Sequence, residues 1–138
     1  MERLNTGSND RGEEILALVR WQLEFGPRFP GSPGHSKFIK ALTQRLREST
    51  DHVYTQKFCI KLAGTAVACS NLIGVFKAPG RTESGPLLLG THFDTRPLAD
   101  NETDIRLRQI PIPGANDGGS GTAVLLHLLP YLSSLPLT

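Results

Sequence analysis

Ile15, Leu16, Val19 and Leu23 recur at helical spacing near the start of the chain and predict a helix over about Gly12–Phe25. Asn9 or Asp10 offers its cap and Gly26-Pro27 its stop. A loop holding three prolines follows, Phe25-Gly-Pro-Arg-Phe-Pro-Gly-Ser-Pro-Gly34. Ser32-Pro33 then opens a second helix, with serine as the cap and proline in the first turn, where its missing N–H leaves no bond unmade. The apolar face of that helix is Phe38, Ile39, Leu42 and Leu46, and Lys40, Arg45, Arg47 and Glu48 face solvent.

From His52 the period shortens to two. Tyr54, Phe58, Ile60 and Leu62 fall on one face of a strand spanning His52–Leu62. Gly64 marks a turn, and Cys69–Lys77 is expected as a second strand antiparallel to the first. Ala78–Gly85 is turn-like. Pro86–Thr91 is short, apolar and bounded by glycines, the signature of a strand covered on both faces. A last helix is expected from Asp117 or Gly118 to about Leu129, burying Val124, Leu125, Leu128 and Leu129, with Pro130 and Pro136 ending it. A doubly covered strand needs neighbours on both sides, and this chain supplies few. The order of elements therefore reads as the opening of a larger α/β sheet.

Composition narrows the class. A chain of 138 residues with 38% hydrophobic and 20% charged positions fits one globular folding unit at most. A net charge of +2, spread rather than clustered, argues against nucleic acid as a partner. No run approaches the roughly 20 apolar residues that cross a bilayer, so no membrane partner is expected. The first residues have no apolar core of a signal peptide, which at face value reads as cytoplasmic. Two cysteines, Cys59 and Cys69, cannot build a disulfide framework or a four-ligand zinc knuckle. They either face each other across the hairpin or are free, half-buried thiols, the reading favoured without an export signal.

The chemistry concentrates between Leu87 and Leu129. The apolar run delivers His92 and Asp94 just past its end, and Gly114-Ala-Asn-Asp-Gly-Gly-Ser-Gly places Asp117 directly before the last helix. Imidazole and carboxylate groups at strand ends occupy the usual place of a reaction centre in α/β sheets. They read as half of a zinc site, because zinc takes nitrogen and carboxylate ligands. Helix-start N–H groups would stabilise the Asp117 charge, and Gly118, Gly119 and Gly121 would admit a metal and substrate. The bland alternatives are an Asp117 N-cap, a His92 satisfied by a carboxylate, and an Asp94 that only hydrogen-bonds His92. Arg96 either binds a substrate carboxyl or, the favoured reading, pairs with Asp100 or Asp104. His35, His52 and His127 are expected to be ordinary surface or helix residues. Two rival motifs fail: Thr122 stands where a G-x-S-x-G elbow needs glycine, and the glycine-rich run lacks the Lys-Ser/Thr ending of a P-loop.

These segments resemble the zinc-dependent exopeptidase superfamily of M28 aminopeptidases and glutaminyl-peptide cyclotransferases, most closely the cyclotransferase-like branch. Gly26-Pro-Arg-Phe-Pro-Gly-Ser-Pro-Gly34 is similar to that branch's loop between its first two helices, and Ser70-Asn71-Leu-Ile-Gly74 to its second strand. His92-Phe-Asp94-Thr-Arg-Pro97 and Gly114-Ala-Asn-Asp117-Gly-Gly-Ser-Gly121 are similar to its two active-site segments. The resemblance runs from about Gly12 to Leu129, and its specificity lies in the order of the segments.

The resemblance implies the N-terminal part of a three-layer α/β/α fold with a mixed, mostly parallel sheet. Residues 1–138 would be a single incomplete catalytic domain. Asp117 matches the carboxylate that binds zinc in both branches, bridging two ions in the aminopeptidases. His92 matches a ligand of their second zinc, whereas in animal-type cyclases that histidine lies near the metal without binding it. Asp94 matches the catalytic carboxylate that orients the peptidase site. The implied cofactor is zinc, one ion for a cyclotransferase and two for an aminopeptidase, and the implied substrates are peptide or protein N-termini. The expected reaction is formation of N-terminal pyroglutamate with release of ammonia, and the alternative is hydrolysis of the N-terminal peptide bond. A third expectation is a non-catalytic truncated remnant, because the family's glutamate pair, further aspartate and late histidine would lie past Thr138. Family members are often exported, which leaves the compartment open.

Overall fold

Ser32 begins α2 by accepting a hydrogen bond from the His35 N–H at 3.1 Å, and Pro33 fills the first helical position. This is the cap the sequence predicts, and α2 runs from Pro33 to Ser49. The computed structural model describes residues 6–62, 64–77, 86–132 and 134. The elements are α1 (Thr6–Leu23), α2, β1 (His52–Leu62), β2 (Thr65–Val75) and α3 (Gly119–Leu132). Among the described residues no helix is long and apolar enough to cross a membrane.

The core forms where α2 and α3 meet. Phe38 and Leu42 bury against Leu126 and Leu129, and Leu18, Trp21, Phe25, Leu46, Leu72, Phe76 and Phe93 pack around them. Phe38 is its centre, with ring centroids 5.3 Å from Phe25, 5.5 Å from Trp21 and 5.7 Å from Phe93. Arg45 lies over the outer face of Trp21 at 4.5 Å, where it shields the ring while keeping its own charge near water. Phe93 ties this core to the functional segment, because its neighbours in sequence are His92 and Asp94.

β1 and β2 pair antiparallel from His52 opposite Val75 to Leu62 opposite Thr65. That register leaves a two-residue connection in which Gly64 adopts φ +83°, a conformation glycine supplies without steric cost. Phe58 faces Cys69 and Cys59 faces Ala68, so the two thiols lie on opposite faces of the hairpin and are free. Cys69 is buried and Cys59 exposed, rather than both half-buried.

Several expectations need correction. α1 starts at Thr6, not near Gly12, and contains Asn9 and Asp10 instead of being capped by them, because the sequence ahead of Ile15 carries no apolar period to mark it as helix. β2 starts at Thr65, earlier than Cys69. Pro130 lies inside α3, but only two residues of helix follow it, so the lost bond and ring clash that proline brings fall on the last turn, where helices fray anyway. The buried face of α3 is Gly119, Thr122, Ala123, Leu126 and Leu129, and Val124 is exposed.

The largest difference concerns Pro86–Thr91, which forms no strand, and Leu87, Leu88 and Leu89 are 68%, 85% and 44% exposed. A strand exists only through its ladder partners, and the one sheet among the described residues is the β1–β2 hairpin. The expected mostly parallel sheet is therefore not formed within these residues. The turn expected over Ala78–Gly85 and the stop at Pro136 lie outside the described residues.

Candidate metal and peptide site

Two backbone segments converge at the start of α3. Thr122 Oγ1, buried one turn into the helix, donates to the His92 carbonyl at 3.1 Å. Gly118 adopts φ +79°, and a Cβ there would stand 2.8 Å from Asp94 O and 3.1 Å from His92 Nδ1. A Cβ at Gly121 would strike Thr91. The glycines expected to clear space for a ligand thus also let the Thr91–Asp94 backbone lie against the helix start.

The result brings the three singled-out side chains together. His92 Nδ1 lies 3.4 Å from Asp94 Oδ1 and 3.2 Å from the Asp94 carbonyl oxygen, and His92 Nε2 lies 3.3 Å from Asp117 Oδ1. All three side chains are about half exposed. A neutral imidazole has one N–H, yet here both ring nitrogens face oxygen acceptors. With the proton on Nδ1 toward Asp94, the Nε2 lone pair and Asp117 Oδ1 face each other as two electron-pair donors, an arrangement that a cation between them would satisfy, as would a second proton on the ring. Two donors about 2.0–2.2 Å from a tetrahedral zinc ion stand about 3.3–3.5 Å apart. The observed 3.3 Å fits two vertices of such an ion. Among the described residues, no group of three or more His, Cys, Asp or Glu side chains is placed to hold a metal, so the site offers a donor pair rather than a full ligand set.

Arg96 pairs with Asp100, as the favoured reading had it, and Asp104 pairs instead with Arg106. The loop between the segments folds on itself through Ala99 N–H to Ile110 O at 3.0 Å and Ile112 N–H to Arg96 O at 3.1 Å. Of the other histidines, His52 is exposed and His127 contacts Glu14 at 3.3 Å. His35 is a helix residue of α2, within the expectation, but not a surface one. It is buried and stacks on Phe93 at 5.8 Å, and burial pulls its pKa below the ordinary value against a smaller upward pull from Asp94.

Sequence reasoning missed Arg28, Gln22 and Thr95, all buried. Gln22 Nε2 donates to Gly119 O at 2.8 Å and joins α1 to the first residue of α3. Thr95 Oγ1 accepts from the Arg28 N–H at 2.8 Å. The available signal was polarity out of place: Gln22 sits beside Trp21 and Leu23 in a largely apolar stretch, and Arg28 is flanked by prolines and aromatics.

Residues 71–137 match the sequence profile of Peptidase family M28. No curated protein matches the chain. Among solved structures, Porphyromonas gingivalis glutaminyl cyclase is 35% identical with a TM-score of 0.80, over 89% of this chain and 42% of that one. A leucine aminopeptidase precursor from Bacteroides thetaiotaomicron is 31% identical with a TM-score of 0.74, over 88% and 41%. A Zn-dependent exopeptidase from Parabacteroides distasonis is 28% identical with a TM-score of 0.75, over the same shares. The chain thus spans about two-fifths of the length of the structures it matches. Over residues 71–137 the chain is similar in sequence to peptidase family M28, and over nearly nine-tenths of its length it is similar in backbone to glutaminyl cyclases and Zn-dependent exopeptidases.

Proposed function

We propose that this chain is part of a zinc-dependent glutaminyl-peptide cyclotransferase, in which Asp117 and His92 border the metal and Asp94 orients His92. The observation that carries the reading is the 3.3 Å approach of His92 Nε2 to Asp117 Oδ1, two donors at the spacing of neighbouring zinc ligands. The 35% identity to a glutaminyl cyclase favours the cyclase branch.

Zinc, when bound, supplies Lewis-acid polarisation of a substrate carbonyl. Asp117 offers its carboxylate as the charged donor, just ahead of a helix start whose dipole favours negative charge. Asp94 accepts the Nδ1 proton of His92, which fixes the ring and leaves the Nε2 lone pair on the Asp117 side for a metal ion. Gly118 keeps side-chain bulk away from both groups.

A pair of donors is half of a four-coordinate set, so we assign the remaining ligands and the proton-shuttling group to a more extensive catalytic domain of which residues 1–138 are one part. The 138-residue chain alone should bind zinc weakly and turn over no substrate. The reading is tested by incubating the longest natural form of the protein with Gln-initiated peptides and zinc. Ammonia release with pyroglutamyl product is expected, and its absence with zinc bound would remove the cyclase assignment. A two-zinc aminopeptidase is the second reading, favoured by the 31% identity to a leucine aminopeptidase precursor. Metal analysis separates them, with one zinc per chain for the cyclase and two for the peptidase.

A further inference from the structure

Arg28 lies in the proline-rich loop between α1 and α2 and is fully buried. A buried cation is costly unless its donors are satisfied. Four backbone carbonyls take four of its five side-chain N–H groups. Nε donates to Phe93 O at 3.2 Å, Nη1 to Gln22 O and to Pro113 O at 3.1 Å each, and Nη2 to Gly114 O at 2.9 Å. The Phe38 ring lies 5.5 Å from the guanidinium carbon. Burial pulls the pKa of Arg28 down and Asp94 pulls it up through space.

The identity of the acceptors is informative. Phe93 sits between His92 and Asp94, and Pro113-Gly114 lead into Asp117. One planar group therefore grips both backbone segments that carry the donor pair. The Arg28 N–H adds a further tie to Thr95 Oγ1, in the same segment as Asp94. Gly114 is needed for the fit, since a Cβ there would press on Thr95 and lie 3.2 Å from Arg28 Nη2.

We propose that Arg28 is the positioning residue of the His92–Asp117 site, fixing the spacing of its two segments and thereby its affinity for a divalent cation. The Gly26–Gly34 loop then has a purpose beyond joining two helices, which is to deliver a guanidinium into the seam. Lysine cannot replace it, because an ammonium is a point charge without the planar fork that reaches four carbonyls at once. The affinity part of the proposal rests on reading His92 and Asp117 as metal donors, and the positional part does not.

The experiment uses the longest natural form of the protein, the variants Arg28→Lys and Thr95→Val, and Asp117→Asn as reference. Zn2+ affinity is measured by competition with a chromophoric chelator, and amide hydrogen exchange is followed segment by segment. For Arg28→Lys we expect exchange over residues 91–96 and 113–122 to accelerate about tenfold or more, with β1–β2 unchanged, and Zn2+ affinity to fall about 10–100-fold, as when a partner that orients a ligand is lost. Thr95→Val should move both readouts in the same direction by less. Wild-type exchange in both segments of Arg28→Lys would overturn the proposal. So would Zn2+ affinity unchanged in Arg28→Lys but lost in Asp117→Asn. If Arg28→Lys does not fold, Thr95→Val decides on the same readouts, and unchanged exchange there rejects the proposal. If the wild-type protein binds no Zn2+, the metal reading fails and the exchange result alone decides the role of Arg28.

Discussion

His92 Nε2 and Asp117 Oδ1 meet at 3.3 Å from opposite ends of a loop that is closed by its own hydrogen bonds. Both side chains are about half exposed, so as an ion pair they contribute little to folding, at most about 1 kcal/mol. As metal donors they would matter far more to function. Asp117→Asn should therefore change the free energy of unfolding by less than about 1 kcal/mol while removing Zn2+ binding. Denaturant titration and zinc titration on the same variant separate the roles. A large loss of stability with zinc affinity intact would make the pair structural.

Gly118→Ala should damage both stability and the site. Its φ of +79° costs an L-residue about 1–2 kcal/mol, and the new methyl group would press on Asp94 O and the His92 ring. Gly12→Ala is the control, since a Cβ there meets nothing within 4 Å in α1. It should stabilise the helix by up to about 1 kcal/mol. Thermal melts of the two variants should move in opposite directions, and only Gly118→Ala should weaken zinc binding.

Acid should unfold the chain partly through His35. Burial lowers its pKa in the folded state, so below the unfolded value of about 6.5 the unfolded chain binds the proton more readily. Stability should rise with pH through that window and level off above it. His35→Gln should flatten this slope between about pH 5 and 7, as read from melting temperature against pH. An unchanged slope would assign the acid sensitivity to other groups.

The two thiols should differ in reactivity. Cys59 is exposed, whereas burial, with smaller contributions from Asp94 and Cys59, pushes the Cys69 thiol above its ordinary pKa. Because the thiolate is the nucleophile, one thiol should react with a disulfide reagent near pH 8 before unfolding and the second only after it. Cys59→Ser should abolish the early phase, and a fast phase surviving in that variant would contradict the assignment.

Local signals in the chain were reliable where the cause is local. The Ser32-Pro33 cap, the Gly64 turn and the bounds of the His52–Leu62 strand appear as expected, although Tyr54, Phe58, Ile60 and Leu62 stay exposed. Pro86–Thr91 was misread because a strand is a property of its neighbours, and an apolar run cannot report whether they are present. The convergence of His92, Asp94 and Asp117 was foreseen, but not the guanidinium behind it. Arg28 is hidden in a loop whose prolines and glycines suggest only a turn, and its acceptors lie 65 to 86 residues away, apart from Gln22. Long-range hydrogen bonds to backbone carbonyls leave no periodic trace in sequence.

Those distant acceptors also order events in time. The β1–β2 hairpin can zip in about 1–10 μs from contacts near its own turn. The bonds from Arg28 to Phe93, Pro113 and Gly114 must wait until remote stretches have already met, and loop closure makes such meetings slow. The chemistry-bearing corner should therefore take shape after the hairpin, together with the docking of α1 on α3 through Gln22 and Gly119.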